Sequence, residues 1–409
     1  MQTNMALPTL IKQLAFAAAA AMALGAATPA HALIINLTST GNANADLGFR
    51  AAANYWQSVF IDPITVNITA GFAPLGSSTL GRAASSDIFT NFLAVKTALG
   101  ADSTSADDAT MVLGLPGGSS YGKYINGTTT NANAHLHSGV TDMQLTTANA
   151  KAIGLLAANA TAEDAQITFS SNFSFDFDQT DGIGTGLFDF VGIAIHELGH
   201  AMGFVSGVDL LDAKDNFNKF SDTAFDRLAT LLDFTRCSAA SQAAGADMDW
   251  TADKRAKDFA IDGNCTALVS NAWSTGVNQG DGRQASHWKD GFGIGIMDPT
   301  AVPTGQLNVV TARDIQSLDV IGWTRVRVPE PGTLLLLVPA LLGMSTMRRR
   351  WKAVSMKVAS DSRISPLHLR ESIQGVGGVR WGIRRACSAP IERFRRASRN
   401  APCKGGKRS

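Results

Sequence analysis

The spacing of apolar and polar positions predicts a chain of mixed helices and strands. Asp46 to Phe60 and Asp87 to Leu99 carry apolar residues at helical spacing, and the leading aspartate of the first segment is its predicted N-cap. Ile64 to Phe72 and Gln166 to Phe177 alternate apolar with polar residues, which predicts strands. Phe188 to Phe204 predicts one more helix. This order favours an α+β fold in which a twisted sheet lies beside the last helix.

The N-terminal segment has the pattern of a secretory signal peptide. Lys12 gives a positive start, Leu14 to Leu24 forms an Ala-rich apolar run, and Ala30-His31-Ala32 fits a cleavage site between small residues. An amphipathic or buried helix is the alternative, which the adjoining cleavage site disfavours. We therefore expect residues 1–32 to be removed on export and the mature chain to begin near Leu33.

The segment from residue 33 to residue 327 contains no low-complexity linker and no clear repeat, so it is predicted to be one domain. It holds two of the four cysteines, Cys237 and Cys265, whereas Cys387 and Cys403 lie near the C-terminus. Because an exported protein meets an oxidising environment, Cys237 and Cys265 are candidates for a disulfide. Two free buried thiols are the alternative.

The formal net charge of +1 conceals two oppositely charged regions. From Arg348 to the end, 17 Lys and Arg stand against 3 Asp and Glu, whereas the preceding 347 residues carry 18 basic and 31 acidic side chains. The body is thus acidic and the tail basic. No nucleic-acid partner is expected for the body. The tail at residues 351–409 is compatible with a cytoplasmic extension, a nucleic-acid-binding arm or a fused reading frame without function.

A zinc-binding motif lies in the last predicted helix. His196-Glu197-Leu198-Gly199-His200 has the pattern H-E-x-x-H, which puts two imidazoles on one helix face within reach of one metal ion. Glu197 can then take a proton from water at the metal. A surface helix with polar residues aligned by chance is the alternative. The apolar residues around the motif argue against it, because a buried His-Glu-His set needs a partner, and zinc fits.

The residue inventory restricts the third metal ligand. A catalytic zinc site takes three protein ligands and keeps one position open. After the motif no glutamate occurs before Glu330, so a downstream glutamate ligand in the body is excluded. Past His200 the histidines are His287 and His368, and His368 lies in the basic tail. The third ligand is therefore His287 or an aspartate, and Asp209 and Asp212 are the nearest aspartates after the motif.

The motif and its continuation, HELGHAMGF, resemble the active-site helix of metzincin zinc proteases. In most metzincins the glycine matching Gly203 turns the chain towards a third ligand at the position of Ser206, and serine is not a credible zinc ligand. Leishmanolysin-like metalloproteases instead place a long insertion before a Ser-His-Trp histidine, followed by a methionine turn. SHWKDGFGIGIMDP is similar to that pattern. The resemblance implies that His287 is the third ligand and Met297 the Met-turn.

The same resemblance implies a fold and an activity. The fold is a metzincin-like catalytic domain with a twisted sheet, an active-site helix and a C-terminal lobe that contains the Met-turn. The activity is that of a secreted zinc endopeptidase on protein or peptide substrates, with Glu197 as the general base. The chain departs from some metzincins because no tyrosine follows the Met-turn. A non-catalytic cell-surface or extracellular-matrix protein with a metal-stabilised fold is the alternative.

A second resemblance lies near the C-terminus, at residues 328–350. Val328-Pro329-Glu330-Pro331-Gly332-Thr333 precedes an apolar run from Leu334 to Met347 and then three arginines. The run has only 14 residues and contains Pro339, so it is short for a stable membrane span. The three parts in this order resemble the PEP-CTERM sorting signal. The resemblance implies transient membrane contact, an exosortase-type sorting enzyme as partner, and a secreted or cell-surface location in a bacterium that has such a system.

Two further groups of side chains are candidates for metal binding. His135 and His137, in AHLHSG, could bind a second metal, but an exposed loop pair is the favoured interpretation because no carboxylate is close in sequence. Asp176, Asp178 and Asp181, in FDFDQTDGIG, resemble a calcium loop. Their spacing misses the EF-hand pattern, so calcium stays open beside a solvated turn.

Overall fold

Helices and strands alternate along residues 33–326, the part of the chain that the computed structural model describes. The strands are β1 (Ile34–Leu37), β2 (Thr65–Ala73), β3 (Gly81–Ser85), β4 (Asp87–Asn91), β5 (Tyr121–Ile125), β6 (His135–Val140), β7 (Asp142–Thr146), β8 (Ala165–Ser170), β9 (Phe175–Asp176), β10 (Phe188–Asp189), β11 (Arg236–Cys237), β12 (Met248–Asp249) and β13 (Asp258–Phe259). The α-helices are α1 (Ala43–Val59), α2 (Phe92–Asp102), α3 (Ala106–Gly114), α4 (Thr147–Ala152), α5 (Phe190–Ala201), α6 (Val208–Asp212), α7 (Ala239–Ala243) and α8 (Ala312–Asp319). Two 3-10 helices lie at Asp222–Leu228 and Leu232–Thr235. The fold is a mixed α+β fold, which confirms the predicted class.

The largest sheet has four strands in the order β1-β2-β8-β3. β1, β2 and β8 run parallel, and β3 joins β8 in the antiparallel direction at the edge. A three-stranded sheet has the order β12-β5-β6. Three two-stranded sheets pair β4 with β7, β9 with β10, and β11 with β13. Alternating burial along β2 follows from its alternating sequence, because successive side chains of a strand point to opposite faces.

Helices α1 and α5 pack together against this sheet through aromatic side chains. The ring of Phe190 in α5 lies 4.2 Å from the ring of Phe169 in β8 and 5.0 Å from that of Phe49 in α1, measured between centroids. The indole N–H of Trp56, which is fully buried in α1, donates to the carbonyl of Ile195 in α5 at 3.0 Å. These contacts fix the depth and rotation of the helix that carries the zinc-binding motif.

Helix α5 begins at a side-chain cap. The carboxylate of Asp189 accepts a hydrogen bond from the backbone N–H of Gly192 at 2.9 Å. The helix ends at Ala201, and Gly203 then adopts a φ of +112°, a conformation that side-chain-bearing residues rarely adopt. The chain therefore leaves the helix sharply just after the second histidine of the motif.

The long segment between Gly203 and His287 contains only short elements. It includes α6, both 3-10 helices, α7 and the two-residue strands β11, β12 and β13. A disulfide joins Cys237 to Cys265, which confirms the predicted bond and excludes the alternative of two free thiols. β12 adds to the sheet of β5 and β6, so the segment is packed onto the body rather than projecting from it.

Four of the predicted elements differ from the observed ones. The helix predicted over Phe188 to Phe204 begins only at Phe190, after strand β10, and ends at Ala201. α1 begins after Asn42, whose side chain accepts from two backbone N–H groups, whereas Asp46 accepts from Thr40 and is not the N-cap. Asp87–Asn91 is a strand, because it pairs with β7, and the helix α2 starts only at Phe92. The stretch from Gln166 to Phe177 contains two strands, β8 and β9, instead of one.

Several predicted segments lie outside the described residues. They are the signal peptide at residues 1–32, the sorting signal at residues 328–350 and the basic tail at residues 351–409. Among the helices within residues 33–326, none has the length and apolar character needed to cross a bilayer.

Removal of the Cys237–Cys265 disulfide should lower the free energy of unfolding by about 3 to 4 kcal/mol, because the bond closes a long loop and restricts the unfolded chain. Denaturant unfolding of the double variant Cys237→Ala/Cys265→Ala, beside the unchanged protein, measures this loss. Equal unfolding midpoints for the two proteins would contradict the prediction.

Candidate metal centre

Three imidazoles from two distant parts of the chain meet at the surface of α5. His196 and His200 lie one turn apart on the helix, and His287 comes from the loop after the long segment. The Nε2 atom of His200 lies 3.1 Å from Nε2 of His196 and 3.2 Å from Nε2 of His287. Within residues 33–326 these three form the group whose nitrogens are close enough to hold one metal ion.

The second nitrogen of each ring faces a backbone carbonyl. Nδ1 of His196 lies 2.7 Å from the Ile296 oxygen, Nδ1 of His200 lies 2.8 Å from the Phe204 oxygen, and Nδ1 of His287 lies 3.3 Å from the Gln284 oxygen. Because a carbonyl only accepts hydrogen bonds, each Nδ1 must carry the proton. The three Nε2 lone pairs then point at one another, which is favourable only around a cation.

Burial keeps the three rings neutral. It lowers the pKa of His196, lowers that of His200 to about 3, and lowers that of His287 well below its usual value, and the neighbouring imidazoles lower the last two further. Neutral imidazole is the form that binds a metal. Three neutral nitrogens from rigid surroundings match the donor set of a catalytic zinc site.

Glu197 lies between the two motif histidines and the edge strand. Its side chain is 5% exposed, and its carboxylate accepts a hydrogen bond from the backbone N–H of Ala83 in β3. Burial raises the pKa of Glu197 to about 8. Gly81, also in β3, gives the carboxylate room, since a Cβ at that position would come within 2.8 Å of Oε1 of Glu197.

Met297 packs underneath α5. It is fully buried, and a Cβ at Gly199 would come within 2.6 Å of its sulfur, so the helix and the methionine are in direct contact. The carboxylate of Asp314, in α8, accepts hydrogen bonds from the backbone N–H groups of Ile296 and Met297 and from the indole of Trp288. One buried carboxylate therefore fixes the methionine and the residue that follows His287.

The two aspartates considered as rival ligands point away from the imidazoles. Asp209 accepts hydrogen bonds from the backbone N–H of Ala285 at 2.6 Å and from that of Ser286 at 3.2 Å. Asp212 accepts from the backbone N–H of Gln279 at 2.7 Å. Asp209 holds the residues next to His287, whereas Asp212 holds residues earlier in the same segment. With both carboxylates engaged in this way, His287 is favoured as the third ligand.

An open cleft of about 960 Å³ runs over the imidazoles and Glu197. Residues 77–83, Arg283, Gln284 and residues 298–301 contribute to its lining. The cleft is large enough for several residues of an extended peptide, and its floor carries the candidate metal centre.

His135 and His137 lie apart from this centre, and the loop interpretation is wrong. Both belong to β6, where Nε2 of His135 lies 2.9 Å from a carboxylate oxygen of Asp222 and Nε2 of His137 lies 2.6 Å from one of Asp226. Hydrogen bonding to Asp222 raises the pKa of His135 in spite of partial burial. The partner carboxylates are about ninety positions away in the sequence, so local spacing gave no sign of them.

In the acidic loop before α5, carboxylates accept hydrogen bonds from backbone N–H groups of the same loop. Asp176 accepts from the N–H groups of Asp178 and Gly184, and Asp178 accepts from that of Thr180. Asp181 lies in the same turn. Such bonds are typical of Asx turns, which stabilise loops without any ion.

Sequence reasoning missed the residues that hold the ligands in place. Asp314, Asp209 and Ser286 act through backbone and hydroxyl groups rather than through a motif. Thr311 and Asp314 do form a capping box at the start of α8, a signal that was readable as Thr-x-x-Asp. It would have predicted a helix start, but not the contact with Met297.

In the metal-free protein, Glu197→Gln should raise the free energy of unfolding at pH 8 and above. The pKa of Glu197 in the folded protein is about 8, above the usual value of 4.5. Between these two pH values the unfolded chain has lost this proton while the folded chain keeps it, so the unchanged protein loses stability as the pH rises. The gain in the variant should grow by at most about 1.4 kcal/mol per pH unit in that range and vanish below it.

Denaturant unfolding with chelator at pH 4.5 and pH 8.5 measures this difference, since the histidine titrations are common to both proteins. Glu163→Gln is the control, because the Glu163 carboxylate bonds Gln166 at the surface. A pH-independent effect of Glu197→Gln would show that the buried carboxylate does not retain its proton.

Comparison of the chain with models of known protein families, with curated proteins and with solved structures finds no match. A function for this protein therefore has to be inferred from the site itself, which consists of three convergent imidazoles, a buried glutamate and an open cleft.

Proposed function

We propose that the protein is a zinc-dependent endopeptidase. The observation that carries the proposal is the convergence of the Nε2 atoms of His196, His200 and His287 beside Glu197, on the floor of an open cleft. Three protein nitrogens leave one position of a tetrahedral ion free, and this position is what a catalytic zinc site requires. When bound, zinc supplies a Lewis acid that polarises a peptide carbonyl and makes water acidic.

Glu197 is the candidate general base. It lies next to the first histidine on the same helix, lines the cleft and has no ion-pair partner among the residues that the structure describes. Its carboxylate can take a proton from the attacking water and pass it to the leaving amine of the cleaved bond.

The edge strand supports a peptide as the substrate class. β3 pairs with β8 through one edge only, and residues 81–83 of β3 line the cleft. A free strand edge offers backbone N–H and C=O groups to an extended chain, which would lie across the metal centre. The proposed function thus uses the sheet to align the substrate and α5 to perform the reaction.

The packing of Met297 is consistent with a metzincin-like centre. Its sulfur lies beneath α5 at Gly199, as the sequence resemblance to leishmanolysin-like proteases implies for a Met-turn. Export through the N-terminal signal and sorting by an exosortase-type enzyme are further parts of the proposal, and they rest on the sequence patterns alone.

Zinc analysis together with proteolysis tests the proposal. The mature protein should contain one zinc and digest casein. Glu197→Gln should keep the zinc and lose activity by at least about 10²-fold, because the general base is removed while the ligands remain. His287→Ala should lose tight zinc binding and activity together.

The outcomes separate the two function classes. If the unchanged protein and Glu197→Gln each bind one zinc and neither digests casein or a mixed peptide library, the endopeptidase is contradicted and a non-catalytic protein with a metal-stabilised fold remains. If His287→Ala retains full zinc affinity, His287 is not a ligand.

Gly81→Ala should lower kcat by about 10- to 100-fold with little loss of stability or zinc content. The added Cβ would meet the flexible end of the Glu197 side chain, which must then move from its position. Gly71→Ala in β2 is the matched control, because no atom lies within 4 Å of the added Cβ. Equal activity of the two variants would contradict a positional requirement for Glu197.

A further inference from the structure

His287 has to be brought to the metal centre from the far end of a long segment. It lies 87 positions after His200, yet its Nε2 stands 3.2 Å from that of His200. Its own ring makes only one bond to a neighbouring carbonyl, at 3.3 Å. The accuracy of its position therefore depends on how the preceding residues are held.

A single carboxylate holds the two residues before His287. Asp209, in α6, accepts the backbone N–H of Ala285 at 2.6 Å, the backbone N–H of Ser286 at 3.2 Å and the hydroxyl of Ser286. Three donors on one carboxylate, two of them backbone groups, leave this stretch little freedom to rotate or slide. A change in this contact would be transmitted directly to the next residue, the third imidazole.

The hydroxyl of Ser286 continues the contact to the loop that follows α5. It accepts a hydrogen bond from the backbone N–H of Ser206 at 2.8 Å. The Ser206 side chain in turn donates to the buried carboxylate of Asp233, which also accepts from the indole of Trp250. Ser206, the position at which most metzincins carry their third ligand, is thus tied to the neighbour of the ligand used here.

A buried arginine holds the other polar groups of the same stretch. Arg236, which is fully buried, donates to the carbonyl of Ala285 at 2.8 Å and to that of Ser274 at 2.9 Å. The N–H of Ser274 donates to the carbonyl of His287 at 3.1 Å. Asp209 and Arg236 therefore satisfy the N–H and C=O of Ala285 from opposite sides.

We propose that Asp209 and Ser286 are positioning residues that set the place of His287 and thereby the affinity and geometry of the metal centre. The inference rests on the zinc-binding part of the proposed function. Neither side chain contacts the candidate metal position; both act through the backbone that carries the ligand. Partners that hydrogen-bond a ligating side chain typically contribute a factor of about 10 to 100 in metal affinity, and we expect an effect of this order from residues that hold the ligand's backbone.

Asp212 provides a matched control on the same helix. It lies three positions after Asp209, and its carboxylate also accepts hydrogen bonds from two backbone N–H groups, those of Asn278 and Gln279. Those residues lie earlier in the segment and do not adjoin His287. Asp209→Asn and Asp212→Asn therefore remove the same charge from similar surroundings, but only one of them loosens the ligand.

Zinc affinity of the full mature chain, measured by competition with a chromophoric chelator, tests the inference. Asp209→Asn should bind zinc about 10- to 100-fold more weakly than the unchanged protein, and Asp212→Asn should bind it as tightly. The visible absorption of the cobalt-loaded proteins should change in Asp209→Asn only, because the geometry of the ligands changes there. Thermal unfolding of the metal-free proteins shows that each variant is folded.

Ser286→Ala is the second variant, in case Asp209→Asn does not fold, and Ser286→Thr, which keeps the hydroxyl, should restore the affinity that the alanine loses. The inference is overturned if folded Asp209→Asn and Ser286→Ala bind zinc like the unchanged protein, or if Asp212→Asn weakens binding equally. Failure of the proposed function looks different: the unchanged protein then binds zinc through His287 without digesting any peptide, and the positioning effect persists.

Discussion

The hydrogen bonds from three imidazole Nδ1 atoms to backbone carbonyls are the constraint on which the centre depends. They fix the tautomer of His196, His200 and His287 and turn each Nε2 lone pair towards a common point. Such an arrangement is unfavourable without a cation, because burial keeps the rings neutral and no proton remains to be shared between the nitrogens. The surrounding backbone holds the three Nε2 atoms close together through these hydrogen bonds.

Two carboxylates, one of them fully buried, extend the constraint beyond the three imidazoles. Asp314 fixes the backbone at Met297, and Asp209 fixes the backbone before His287. Each carboxylate accepts hydrogen bonds from several N–H groups. These bonds satisfy the N–H groups of the loops and also fix the position of the loops. The long segment after α5 needs this support, since its helices and strands are too short to be stable by themselves, and the Cys237–Cys265 disulfide shortens the free chain between them.

The cleft brings the edge strand β3 together with the candidate metal centre. β3 contributes a free edge, while α5 contributes Glu197 and two of the imidazoles. The Glu197 side chain lies against the backbone of β3, so the strand and the candidate general base are adjacent. A glycine at position 81 makes this close approach possible.

The sequence by itself determined the candidate metal site: H-E-x-x-H places two imidazoles and a carboxylate by helix geometry, and the scarcity of histidine and glutamate left His287 or an aspartate as the candidate third ligand. It also determined the α+β class, because strand and helix periods are local. Tertiary structure alone decided that Asp209 holds the ligand loop, that Asp87–Asn91 is a strand, and that His135 and His137 meet Asp222 and Asp226. These contacts join residues that lie far apart in the sequence. Periodicity of apolar residues reports only local structure, so it does not predict which distant backbone and carboxylate groups will pair.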